Sequence, residues 1–183
     1  MNTHKVFTDT ETTGFDNNIN QILTVAIVIH NDKKEEVFAE EYKVKKMPWS
    51  IVSPGALECN GINIEEHNKT ALSEREVCLK IVSVLNQFDL IEPVIIGQNI
   101  KFDIKFLRSM FSRAEVDYPF IGFEDTMAMA RQLKISGNLD IPNVKLATIA
   151  GYFGLTTDFH RALEDTKMTA QVYYKLYDMI NKD

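Results

Sequence analysis

Cysteine is scarce in this chain. The two present, Cys59 and Cys78, stand in no paired metal-ligand spacing, which argues against a zinc framework and a disulfide-stapled scaffold; two reduced core thiols are expected. Long apolar runs are also missing. The longest, ILTVAIVI at residues 22–29, is too short to cross a bilayer and reads as a buried strand. The opening MNTHKVF has no basic-then-apolar leader pattern, so a cytoplasmic protein without a membrane partner is expected. There is no internal repeat, no low-complexity tract and no linker rich in Pro, Gly or Ser. Basic charge is short: the formal net charge is −6. That disfavours binding nucleic acid through a broad basic surface, unless several acids are metal ligands whose cations cancel the charge locally.

What is present is an ordinary globular composition, 183 residues with 45% hydrophobic and 25% charged, expected to form one domain over 1–183 with a sizeable core. Residues 5–10 read as a strand. Residues 22–30, rich in Val and Ile, form a second, and 36–44 a third with partial alternation. The short connections imply an antiparallel meander. Residues 47–70, with two prolines and two glycines, read as irregular. Ser73 and Glu76 then make a capping box, followed by an apolar helical face of Val77, Ile81, Val84, Leu85 and Phe88. A strand at 93–97, a helix at about 101–113, a short strand at 123–125 and a helix at about 126–133 come next. A short helix at 145–153 and a final one at about 162–181 complete the pattern. The last carries one apolar stripe of Leu163, Ala170, Tyr173, Tyr177 and Ile180. Three strands, alternating helix and strand, then helices predict an α/β domain with a mixed sheet covered on both faces.

Three stretches carry chemistry. In DTETTG, residues 9–14, Asp9 and Glu11 fall on the same face of a strand. Converging carboxylates repel unless a proton or a cation lies between them, and hard divalent cations take such oxygens. A ragged, solvated strand end fits this stretch equally well. In IIGQNIKFDIKFL, residues 95–107, Asn99 and Asp103 lie four apart where a strand ends and a helix begins, the place where open α/β sheets gather active-site residues. Alone they also read as an N-cap and a dipole-compatible acid, with Phe102, Phe106 and Leu107 in the core. In FHRALEDT, residues 159–166, His160 precedes the last helix and Asp165 sits in its first turns. Together Asp9, Glu11, Asp103, Asp165 and His160 give four carboxylates and a histidine, the set needed for phosphodiester hydrolysis by two cations and a base of near-neutral pKa.

Asp9-Thr-Glu11-Thr-Thr-Gly14, Asn99-x-x-Phe102-Asp103 and His160-Arg-Ala-x-x-Asp165, in that order, resemble the three motifs of the DnaQ-like (DEDDh) 3′–5′ exonuclease family, in particular its DNA polymerase III epsilon-type proofreading domains. The resemblance spans nearly the whole chain. It implies a ribonuclease H-like, three-layer α/β/α fold with a five-stranded mixed sheet. It implies that Asp9, Glu11, Asp103 and Asp165 hold two Mg²⁺ or Mn²⁺ ions, with His160 as general base. Thr12, Thr13, Phe15, Asn60 and Asn99 would contact the substrate, Phe15 as a wedge against the last base; a core position is the other reading of Phe15. The implied partner is the 3′ end of a nucleic acid, DNA rather than RNA from the form of the first motif, with replication, repair or proofreading beside a DNA polymerase as the setting. The alternative is a 3′–5′ exoribonuclease or oligonucleotide-degrading enzyme.

Two positions depart from the family, Gln98 and Asn60, where a histidine is common. They bear on substrate preference and leave the metal ligands and the base in place. A non-catalytic module would be expected to have lost one of the five catalytic positions, and all five are present. A ribonuclease H-type endonuclease shares the acidic logic but not the His160–Asp165 pairing. Lys101, Lys105 and Arg108 form a basic stripe at helical spacing, either a phosphate-steering surface or a solvated helix face.

Overall fold

The computed structural model describes residues 4–156 and 161–181. In chain order the elements are β1 (Lys5–Thr12), β2 (Ile22–His30), β3 (Glu36–Lys43), α1 (Pro54–Asn60), α2 (Ile64–Thr70), α3 (Glu74–Gln87), β4 (Val94–Gly97), α4 (Lys101–Ala114), β5 (Gly122–Asp125), α5 (Thr126–Ile135), α6 (Leu146–Tyr152) and α7 (Ala162–Ile180). No described helix is long and apolar enough to cross a membrane.

The five strands form one sheet in the order β3-β2-β1-β4-β5. β1, β2 and β3 are antiparallel neighbours, as their short connections require, while β4 and β5 join in parallel. The mixed, helix-covered sheet implied by the resemblance is therefore present. β1 is central, and it is the point at which the strand order reverses direction.

Alternation along the strands separates two faces. On one, Val6, Val25, Ile27, Ile29 and Ile95 pack against Val77, Ile81 and Leu85 of α3 and Phe106, Leu107 and Met110 of α4. On the other, Phe7, Val28 and Ile96 meet Ala170 and Tyr173 of α7. Behind α7, Met168, Val172 and Leu176 pack against Ala130 and Leu133 of α5 and Ile149 of α6. α7 thus buries two sides, not one stripe, and the expected stripe fails at its carboxyl end, where Tyr177 and Ile180 are 44% and 38% exposed.

The stretch read as irregular contains two seven-residue helices. Pro54 and Gly61 mark helix boundaries, whereas Pro48 lies in a turn. Pro54 opens α1, whose fixed φ suits a first turn, and Gly61 closes it in the left-handed region at φ 67°. Asn63 caps α2 by accepting the Glu66 N–H. The Ser73–Glu76 capping box forms as expected. Cys78 is buried, but Cys59 on α1 is exposed rather than in the core.

Candidate active site

Beyond its first residues β1 loses a partner. It pairs with β4 only at Val6↔Ile95 and Phe7↔Ile96, while its pairing with β2 continues through Glu11↔Thr24. Gly97 ends β4 where a Cβ would lie 2.9 Å from the Thr8 carbonyl oxygen, so only glycine permits the strands to come this close before they part. A crevice opens at the carboxyl ends of the strands, where the sheet switches direction, the general location of sites in open α/β sheets.

Asp9 and Glu11 project from this half of β1 on the face covered by α7. Asp165, in the early turns of α7, comes down onto them. Asp9, Glu11 and Asp165 each offer a carboxylate oxygen, and these atoms lie within 4.8 Å of one another. Asp103 arrives from the opposite helical layer. It sits in the first turn of α4 and is buried, and its Oδ1 accepts the Thr10 backbone N–H at 3.0 Å and the Thr10 hydroxyl at 2.7 Å. Thr10 is thus the residue that fastens α4 to the acidic strand.

Electrostatics follow from the crowding. Burial, then the Asp103, Glu11 and Asp165 carboxylates, push Asp9 well above the usual carboxylate range. Burial and the charges of Asp165, Asp103 and Glu41 raise Glu11 to about 7, although a hydrogen bond from Asn60 acts the other way. Burial also brings Asp103 to about 7 against the opposing pull of its bonds to Thr10. Buried oxygen donors that converge, and whose crowding raises their affinity for protons, fit a hard divalent cation.

The remaining predicted residues divide. Phe15 is 82% exposed, which rules out a core role. Its ring stands 6.3 Å from that of Phe102, beside the acidic strand. The loop that presents it is held by Asn17, which donates to Ser109 of α4, and by Asn20, which takes the Asp16 N–H. Gly14 is needed there because a Cβ would meet the Asn20 Oδ1 at 2.5 Å and the Ser53 Oγ at 2.6 Å. Thr12 is buried and donates its hydroxyl to the Gly14 carbonyl. Thr13, expected at the substrate, is fully buried; its hydroxyl accepts the Gln21 N–H and bonds Ser50. In this position it braces the loop. Asn60 touches the site from α1, donating to the Thr12 carbonyl at 3.3 Å and bonding Glu11.

Asn99 is exposed and in the left-handed region at φ 56°. It does not cap α4, whose N-cap is Ile100; its N–H goes to Asp125, which also caps α5. Gln98 is held by the protein itself, donating to the Val144 carbonyl at 2.8 Å and accepting the Thr126 hydroxyl at 2.6 Å. Lys101, Lys105 and Arg108 form an exposed face of α4, with Arg108 lying 4.4 Å over the Tyr118 ring. His160 lies outside the described residues.

Glu41 is an acidic neighbour of the cluster that sequence reasoning passed over. It comes from β3 and adds charge to both Asp9 and Glu11. Its signal in the sequence is an acid in a half-alternating strand, which does not reveal what lies across the sheet.

Residues 6–173 match the family model RNase_T, described as "Exonuclease". Ribonuclease T of Baumannia cicadellinicola subsp. Homalodisca coagulata is 25% identical over 182 residues, covering 94% of this chain and 83% of that protein. A PolC-type DNA polymerase III of Thermotoga petrophila is 29% identical over 184 residues; the match takes in 97% of this chain but 12% of the polymerase, so this chain corresponds to a small part of it. The zinc-bound complex of Escherichia coli ExoI with single-stranded DNA shares the fold at a TM-score of 0.87 and 19% identity, over 99% of this chain and 41% of that one.

Proposed function

This chain belongs to the exonuclease family that its residues 6–173 match, and from that premise we propose that it is a metal-dependent 3′–5′ exonuclease that hydrolyses the 3′-terminal phosphodiester of DNA. Single-stranded or frayed ends are the substrate and nucleoside 5′-monophosphates the product. The observation that carries the reading is the convergence of the Asp9, Glu11 and Asp165 oxygens within 4.8 Å, with Asp103 held against the same strand by Thr10.

Asp9, Glu11, Asp103 and Asp165 would hold two divalent cations, Mg²⁺ or Mn²⁺. When bound, the cations supply Lewis acidity toward the phosphate and the attacking water. His160, one residue before the N-cap of α7, takes the proton of that water as its oxygen bonds to phosphorus and the bond to the preceding 3′ oxygen breaks. Phe15, projecting into solvent beside the crevice, offers an aromatic face to the terminal base whatever its sequence. Thr12 lies at the foot of this loop as the contact for the 3′ hydroxyl, and Asn60 and Asn99 flank the substrate path.

DNA is favoured by the DTETTG form of the first motif and by the PolC-type relative, whose match suggests a proofreading or repair setting beside a polymerase. A second reading, a 3′–5′ exoribonuclease or oligonucleotide-degrading enzyme, is favoured by the ribonuclease T relative matched along 83% of its length. Incubation with 5′-labelled single-stranded DNA, duplex DNA, mismatched-end DNA and RNA, with Mg²⁺ or with chelator, separates these. A ladder shortening from the 3′ end of DNA is expected, and it should vanish with chelator. Internal cuts would refute an exonuclease, and faster loss of RNA would favour the second reading. His160→Ala should lose most of its rate and alter the pH profile; a wild-type rate would remove His160 from the role of base.

A further inference from the structure

β3 lies two strands from the acidic half of β1, yet its Glu41 belongs to the site. The β2–β3 register sets Glu41 opposite Ala26, and the β1–β2 register sets Ala26 opposite Asp9. Side chains in register share a face, so Asp9, Ala26 and Glu41 form one row beneath α7. Ala26, between the two acids in this row, is fully buried. Glu41 also lines a cavity of about 280 Å³ with Glu11, Thr24, Asn60 and Arg161.

Glu41 also makes a bond that the helix above it needs. The first N–H groups of a helix have no partner within the helix. Arg161, the N-cap of α7, supplies no side-chain cap bond. Glu41 Oε2 accepts the Leu163 N–H at 3.2 Å. An oxygen acceptor is what this end of a helix requires, since its first N–H groups point outward without partners. Two residues further along the same turn stands Asp165, whose oxygen must meet those of Asp9 and Glu11. The long-range bond fixes the start of α7 relative to β3, and so fixes where Asp165 descends.

We infer that Glu41 is a positioning residue of the site, capping α7 from β3 so that Asp165 is held against Asp9 and Glu11. The inference rests on the metal-site reading above. Its counterintuitive part is that a fifth acid, which adds repulsion to the cluster, serves through a hydrogen bond and not through its charge.

Substitutions separate the bond from the charge. Glu41→Gln keeps an oxygen acceptor of the same reach and removes the charge. Glu41→Asp keeps the charge and shortens the reach by one carbon. Mn²⁺ binding, followed by electron paramagnetic resonance or calorimetry, is the main readout, with kcat and KM on single-stranded DNA beside it. Glu41→Ala and Glu41→Asp are expected to weaken Mn²⁺ by roughly tenfold, the usual scale for a group that supports a metal ligand, and to lower kcat with KM little changed. Glu41→Gln is expected to stay near wild type in both. Wild-type Mn²⁺ affinity in Glu41→Ala or Glu41→Asp would overturn the inference, as would a tenfold loss in Glu41→Gln. If Glu41→Ala does not fold, the Gln and Asp pair decides alone. Asp9→Ala is the control. If it binds Mn²⁺ as the wild type does, the metal-site reading fails and the inference with it; if it loses Mn²⁺ while Glu41→Asp does not, the inference alone fails.

Discussion

Within β1, two neighbouring halves live under opposite rules. At the amino half, Val6 and Phe7 are fully buried and have strand partners on both sides. The Phe7 ring is surrounded by those of His30, Tyr173 and Tyr174, at 5.2, 5.5 and 5.9 Å. At the carboxyl half β4 has left, and Asp9 and Glu11 face other carboxylates. The first half gathers apolar contact that favours folding; the second gathers like charge that opposes it. One strand can contain both because the rigid half aims the repelling half. Precise sites are built on well-packed elements for this reason.

The contrast can be broken most sharply at its acidic end. Asp9→Ala or Asp165→Ala should reduce turnover on the order of a thousandfold or more, the scale of losing a principal electrostatic contribution, with unchanged circular dichroism. Substantial activity in either variant would refute the metal assignment. The opposite result is expected at Phe7. Phe7→Ala should cost about 3–5 kcal/mol of stability in urea unfolding, while the molecules still folded keep a kcat within a few-fold of wild type. A large loss of kcat without loss of stability would show that the two halves do not divide the work as described.

Phe15→Ala sharpens the comparison at smaller scale. So exposed a ring contributes little to folding, so the melting temperature should not move. Affinity for single-stranded DNA should fall by about 1–3 kcal/mol, the worth of one stacked base. An unchanged KM would remove Phe15 from the substrate path. A last effect is expected in the pH dependence of stability. Glu11 is raised from 4.5 to about 7 in the folded chain, so the folded state binds its proton more tightly than the unfolded one. Stability from this group is present below pH 4.5 and is lost as pH rises through about 7. In chelator, Glu11→Gln should therefore gain on the parent protein across that window, read as a growing difference in urea midpoint. A flat difference would contradict the raised proton affinity.

Much of this architecture was legible because it depends on local pattern. The unbroken apolar run of β2 and the Ser73–Glu76 capping box form where the sequence places them. The acids of the site were legible because they sit in short motifs at strand ends and helix starts. What escaped depends on contacts between distant segments. Residues 54–70 hold helices whose short length leaves little periodicity, so their punctuation read as loop. The burial of Thr13 and its bonds to Gln21 and Ser50 depend on segments 8 and 37 residues away. The backbone N–H of Asn99 goes to Asp125 and the side chain of Gln98 to Val144 and Thr126, partners 26 to 46 residues away. Glu41 was hidden because its meaning depends on the register of three strands.

The bond between Thr10 and Asp103 spans 93 positions of the chain. It joins one helical layer to the strand on which the other layer sets Asp165. Neither layer alone brings the four acids together. A nascent or partly unfolded molecule has these acids in its sequence without their convergence. The proposed hydrolysis would then belong only to molecules in which both helical layers are docked on β1.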